Sequence, residues 1–246
     1  MASNLFHTLN ISRQDMYARL MELDDVSNNL ANINTIGYKR SRLNFQELLD
    51  RGFREGNYIA STQVMTEQGA IRNSDNPMDV AISGEGFFAV ELGDGEVGYS
   101  RNGQFQVDAD NNLVNSAGYP IVWDGDIPDG VEEIHFTQDG SVMARQGETW
   151  TIVGQLELYR FDNPTALTRK GENIWLESEI SGEAQAGQPG VEGMGQIVPR
   201  ALEQSNVDLS YEVTRMITLQ RAFEMSTRTF QQTDEMISGA INMRKA

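Results

Sequence analysis

The chain has 246 residues, with 36 acidic against 19 basic side chains, a net charge of −17, and no cysteine. Disulfides, thiolate metal sites and cysteine nucleophiles are thereby excluded, while the length suffices for one or two buried cores. No apolar run approaches the ~18 residues of a bilayer-spanning helix, and the opening Met1-Ala-Ser-Asn-Leu-Phe-His-Thr8 lacks the basic and apolar stretches of a cleavable signal peptide.

The first segment predicts a long helix. Leu5, Leu9, Ser12, Met16, Arg19, Leu23, Val26, Leu30 and Ile33 are spaced alternately by four and three, a heptad seam with seven of nine positions apolar. At 1.5 Å per residue it would be about 43 Å long, with Gly37 as its stop. Domain bounds follow from this: a helical segment over 1–40 and an extended connection over 41–75.

From 76 to 199 the texture changes to short apolar runs split by turn signals. Val80-Ala-Ile82 precedes Gly84-Glu-Gly86, Phe87-Phe-Ala-Val90 precedes Asp94-Gly95, and Asn102-Gly103, Asp139-Gly140 and Gln146-Gly147 follow. Strands joined by tight turns at a spacing near ten residues predict an antiparallel sandwich or open barrel. Residues 181–195, rich in Gly, Ala, Gln and Glu, read as a mobile loop. The closing segment, 200–246, predicts a second helix. Leu209, Val213, Met216, Gln220, Phe223, Thr227, Phe230, Asp234, Ile237 and Ile241 repeat the four-three spacing, with Ser205 or Asn206 as cap and Asp208 at the positive end of the dipole. The fold class is α+β: terminal helices forming a coiled-coil-like domain around a central all-β antiparallel domain.

Charge divides along the same lines. From Asp75 to Pro199 there are 22 acids against 5 bases, whereas the two flanks together hold 14 of each. An acidic middle repels nucleic acid and anionic lipid, and no basic stripe exists to bind either. Neutral flanks can approach copies of themselves without net repulsion. Each helical stripe can be buried on the other, on a neighbouring copy, or on the chain's own β-domain; the strict 3.5-residue period favours a coiled-coil seam.

No motif supports catalysis, a cofactor or a metal. His7 and His135 lie apart without a ligand pattern. Gly84-Glu-Gly86 lacks the third glycine of a dinucleotide loop. Asp108-Ala-Asp-Asn-Asn112 opens like a calcium loop, but Leu113 stands where Gly is needed and Tyr119 where Glu is needed. A polar turn is the better reading.

Two long stretches carry a family resemblance. Val26-Ser-Asn-Asn-Leu-Ala-Asn-Ile-Asn-Thr-Ile-Gly-Tyr-Lys-Arg40 resembles the N-terminal signature of flagellar axial proteins, those of rod and hook. Leu202-Glu-Gln-Ser-Asn-Val-Asp-Leu209, with Met216-Ile217, Gln220-Arg-Ala-Phe-Glu224 and Asp234-Glu-Met236, resembles their C-terminal helix. Asp79-Val-Ala-Ile-Ser-Gly-Glu-Gly-Phe-Phe88 and Tyr99-Ser-Arg-Asn-Gly-Gln-Phe105 resemble the opening of their β-domain, with Asn111 where the family commonly has glycine. The resemblance implies a structural, non-enzymatic rod subunit in the periplasmic span of the flagellar basal body, exported without a cleaved signal. It implies assembly into a helical homopolymer beside other rod and axial proteins, with the rod cap and export apparatus as partners during assembly. The short segment between Leu49 and Asn76 points to the proximal rod type, with the distal rod type as alternative. A β-domain binding module that dimerises through its helices is the reading from a different class. The expected subunit interface comprises Leu5, Leu9, Met16, Leu23, Val26, Leu30 and Ile33 with Leu209, Val213, Met216, Phe223, Phe230, Ile237 and Ile241. To these are added Asn28, Asn29, Asn32 and Asn34, whose amides can bridge backbones of adjacent subunits.

Overall fold

The computed structural model describes residues 2–47, 57–93 and 95–245, and the side chains of all of these except 2–8, 45–47, 57–61, 240, 241 and 243–245. The fold is α+β. Two helices, α1 (Ala2–Ala31) and α2 (Leu209–Lys245), bracket eighteen short strands among the described residues. The chain divides into two compact units. One holds residues 1–31, 41–63 and 207–246; the other holds 32–40 and 64–206.

The helical unit follows from composition. Neither Gly nor Pro interrupts residues 2–31, and α2 contains a single glycine, Gly239. The helices pack on one another. Near their midpoints the Ser226 hydroxyl donates to Asp15 Oδ2 at 2.5 Å, and Thr227 Oγ1 lies 3.6 Å from Met16 Sδ. Asp208 caps α2: its Oδ1 accepts the Tyr211 amide at 2.8 Å. Ser205 and Asn206 were the expected caps; the Asn206 side chain instead binds Arg40, Met65 and Glu67. Strands Ser41–Glu47 and Asn57–Val64 pair as a two-stranded ribbon.

Helix α1 stops at Ala31, short of the expected Ile33. Asn32, Asn34 and Thr35 offer side-chain groups that compete with helical backbone bonds, and a turn forms instead, with the Thr35 amide donating to Asn32 O and its hydroxyl to Asn32 Oδ1. Ile33, the last position of the seam, therefore lies beyond the helix.

In the β unit every registered strand pair is antiparallel. The unit closes on itself: Val80–Ser83 pairs with Gln196–Pro199, and Ile71–Asn73 with Ala201–Glu203. One four-stranded sheet runs Thr168–Gly171, Ile174–Leu176, Val97–Ser100, Phe88–Glu91. A second runs Glu133–Phe136, Ser141–Gln146, Thr149–Gln155, Asp124–Gly125. Among the described residues the remaining strands of this unit form two-stranded pieces. The strands of this unit are short, several of them two or three residues, and turn before a wide sheet can accumulate.

Period-two alternation places consecutive residues in two different cores. Phe88 and Val90 join the larger core with Phe105, Phe136, Leu158 and Ile197, whereas Phe87 and Ala89 join Tyr99, Phe161 and Trp175. Edge-to-face ring pairs knit each core: Phe88 with Phe105 at 5.0 Å, and Tyr99 with Phe161 at 4.8 Å. Burial pushes the Tyr99 hydroxyl up to about 12.

Residues 181–195 are more structured than expected. Gln185–Gly187 is a strand paired with Leu158–Arg160, and the Gly195 amide donates to Glu85 O at 2.7 Å. The small residues there permit close approach: a Cβ on Gly187 would lie 2.8 Å from Met194 Cε. The calcium-like stretch is a turn, with Asp108 Oδ1 accepting the Asp110 and Asn112 amides and Asn111 left-handed at φ 62°.

Candidate functional site

In the helical unit the predicted seam is only partly covered. Val26 is fully buried; Leu9, Met16, Leu23 and Leu30 on α1 and Met216, Phe223, Phe230 and Ile237 on α2 are half-buried. Leu209 and Val213 are exposed. The side chains of Leu5 and Ile241 lie outside the described residues. Ala18, Leu219 and Thr233 are buried although the heptad reading omits them. The helices present further large apolar side chains to solvent: Ile11, Tyr17 and Leu20 on α1, Ile217, Met225 and Met236 on α2, with Met225 69% exposed.

The four asparagines divide. Asn29 is completely buried, donating to Ser41 O and accepting the Ser41 amide, both at 3.0 Å. Its amide thus imitates a strand partner for the first residue of the ribbon, and the Ser41 hydroxyl also donates to Asp25. Within its own chain Asn29 is thus engaged by Ser41 through both its oxygen and its nitrogen. Asn28 and Asn34 are exposed, and Asn32 is held in the turn after α1.

In the β unit a buried ionic cluster fixes the connector Asn32–Arg40. Lys39 and Glu203 are 1% and 0% exposed, and Lys39 Nζ donates to Glu203 Oε1 at 2.5 Å and to Glu67 O at 2.7 Å. The same Oε1 accepts the Gly69 amide at 2.8 Å. Arg101 Nη1 lies 3.4 Å from Glu203 Oε2, and Nη2 donates to Gly84 O at 2.7 Å. Burial, opposed by Glu203, holds the Lys39 ammonium below the usual lysine range. The connector's backbone is held as tightly. The Gly37 amide donates to Glu203 O, Asn173 Nδ2 donates to Ile36 O, and Arg40 N donates to Asn206 Oδ1. Arg169 stacks over the Tyr38 ring at 5.0 Å and donates to its hydroxyl at 2.8 Å.

With Lys39, Arg101 and Glu203 all buried, such a cluster is suited to holding the connector in one geometry. Sequence reading passed over Lys39, Arg101 and Glu203. A signal existed, because each sits inside one of three quoted motifs: Lys39 in Gly-Tyr-Lys-Arg, Arg101 in Tyr-Ser-Arg-Asn-Gly, and Glu203 in Leu-Glu-Gln-Ser-Asn.

Terminal helices that leave apolar surface uncovered, an acidic β unit and a connector locked by buried ions are features suited to a subunit that joins others. The family comparisons agree. The flagella basal body rod protein model matches residues 10–39, the flagellar hook protein FlgE/F/G D1 domain residues 81–144, and the flagellar basal body rod FlgEFG protein C-terminal region residues 198–243. The flagellar basal-body rod protein FlgG of Buchnera aphidicola from Acyrthosiphon pisum is 35% identical, over 92% of this chain and 95% of its own length. That of Agrobacterium fabrum is 36% identical over 94% and 96%. A rod protein named FlgF, from Caulobacter vibrioides, is 32% identical over 94% of each. The chain belongs to the flagellar basal-body rod protein family: it is a structural rod subunit of the flagellar basal body, most similar among these to relatives named FlgG. The family is one of axial components that assemble with other flagellar proteins, and it is not a family of enzymes.

Proposed function

We propose that copies of this chain polymerise through their helical units into the tube that transmits torque from motor to hook, with the acidic β unit turned outward. The chain performs no catalysis in this role. The observation that carries the reading is the uncovered apolar surface of the helical unit: Tyr17, Leu20, Leu209, Val213, Ile217, Met225 and Met236 stand 38% to 69% exposed. Burying apolar area stabilises association by roughly 25 cal/mol per Å², and the neutral flanks oppose it with no net charge. Isolated soluble monomers rarely display so many large apolar side chains on one pair of helices.

Export without a cleaved signal, placement in the periplasmic span and growth beneath a rod cap belong to the same proposal. A proximal rather than a distal position is expected from the short segment between Leu49 and Asn76, of which residues 50–56 lie outside the described residues. Cross-linking to neighbours in intact basal bodies reads that position directly. The assembly proposal is tested by electron microscopy of purified full-length chain over a concentration series. Tubes or fibres that lengthen with concentration are expected. Discrete dimers at every concentration would favour the binding-module reading and overturn this one.

A further inference from the structure

The sheet Glu133–Phe136, Ser141–Gln146, Thr149–Gln155, Asp124–Gly125 has an uneven edge. Its last strand covers only Gly154 and Gln155. Among the described residues, no strand lies along the outer edge of Thr149–Ile152. All four of these side chains are exposed, Trp150 at 42% and Ile152 at 69%. Natural sheets blunt such edges with charge, proline or a covering segment. Thr-Trp-Thr-Ile has neither charge nor proline, and every residue in it favours strand.

The register defines what the edge offers. Trp150 stands opposite Arg145 and Ile152 opposite Met143, so these four share one sheet face with Glu133 and His135. The His135 ring meets Trp150 edge-on at 6.2 Å, and the Arg145 guanidinium lies 5.8 Å from the Trp150 ring. Arg145 is paired with Glu133 at 3.2 Å and Glu132 at 3.8 Å. Glu148 adjoins the edge in sequence, and Asp124 lies on the neighbouring strand. An apolar pair is thus framed by acids in a segment with 22 acids and 5 bases.

We propose that Thr149–Ile152 is an acceptor edge for an extended segment of a protein other than this chain, one that alternates apolar and basic residues. Backbone pairing along the open edge supplies affinity, Trp150 and Ile152 receive the apolar side chains, and the acidic surround draws the basic ones. A second copy is disfavoured as occupant, because edge-to-edge pairing would bring two acidic units together. This partner differs from the copies that the helical unit engages.

The test uses full-length protein, diluted to monomer, and two synthetic peptides of about eight residues, the length of an ordinary strand. One alternates Val and Lys, the other Val and Glu. Expected are slowed amide exchange across Thr149–Ile152 with the Val-Lys peptide alone, and affinity that falls about tenfold or more from low to high salt. Ile152→Lys, a change at an exposed position, abolishes that binding while leaving the thermal unfolding midpoint unchanged. The proposal is overturned if the Val-Glu peptide binds equally, if Val-Lys protects other segments only, or if Ile152→Lys binds as the parent does. It is overturned too if the diluted chain pairs with itself through this edge.

Discussion

Glu203→Ala is expected to destabilise the β unit by about 3–5 kcal/mol, the cost of stranding buried charge once its partner is removed. Two cations lose their counter-ion at once, since Lys39 and Arg101 both face this carboxylate. Against a typical stability of roughly 5–15 kcal/mol, that is a large fraction of the whole. Lys39→Met should cost less, because Glu203 then retains Arg101 and the Gly69 amide. The ranking is readable by denaturant unfolding followed through the buried Trp175. A Glu203→Ala variant within about 0.5 kcal/mol of the parent, the range of an unremarkable surface change, would mean the cluster does not hold the connector. A pH arm sharpens the result. Lys39 has a folded pKa below its ordinary 10.5, so at intermediate pH the unfolded chain binds the extra proton and stability rises as pH climbs through that window. Removing Glu203 lowers the folded pKa further and widens the window. The deficit of the variant should therefore shrink as pH is raised toward 10.5.

Gly37→Ala is expected to unseat the connector. Gly37 has φ +66°, where an L side chain costs about 1–2 kcal/mol, and a Cβ there would lie 2.5 Å from Arg101 C, 2.6 Å from its O and 2.6 Å from Asn102 N. These are backbone atoms and cannot swing aside as a side-chain tip can. Gly118→Ala is the control: its φ is +88°, with nothing within 4 Å of the added carbon. The Gly118 variant should show the conformational cost alone. The Gly37 variant should lose about 3 kcal/mol or more, in line with other severe steric or strain defects, together with amide-exchange protection at Gly37 and Arg40. Equal losses in the two variants would show that the close approach to Arg101 has no weight.

The helices were legible because their signal is repetitive. A period of 3.5 over many turns, free of Pro and with Gly239 the single glycine, survives any local exception. Their boundaries were less so: asparagine and threonine side chains after Ala31 contest the backbone, and Asp208 rather than its neighbours caps α2. Strand positions in the acidic middle came through at the level of alternation, as with Phe87 and Phe88. Their pairing did not, since Val80 finds Pro199 across nearly half the chain and nothing local encodes it. The ionic cluster was hidden for the same reason. Lys39, Arg101 and Glu203 are ordinary charged residues until the fold joins them. Asn29 adds a role that its sequence context did not announce: its amide holds Ser41, the first residue of the ribbon, within the chain.

In the proposed assembly, exposed apolar residues of the helical unit join copies while the acidic β unit does not. Sedimentation of full-length protein carrying Leu209→Ser, Val213→Ser and Ile217→Ser together, beside the parent, addresses it most directly. All three positions are exposed in the single chain, so the fold should be retained. The parent is expected to sediment as large polymers and the triple variant as monomer, with an unchanged unfolding transition for the β unit. Polymers of parental size and onset concentration from the triple variant would contradict the claim and move the driving contacts to the β unit.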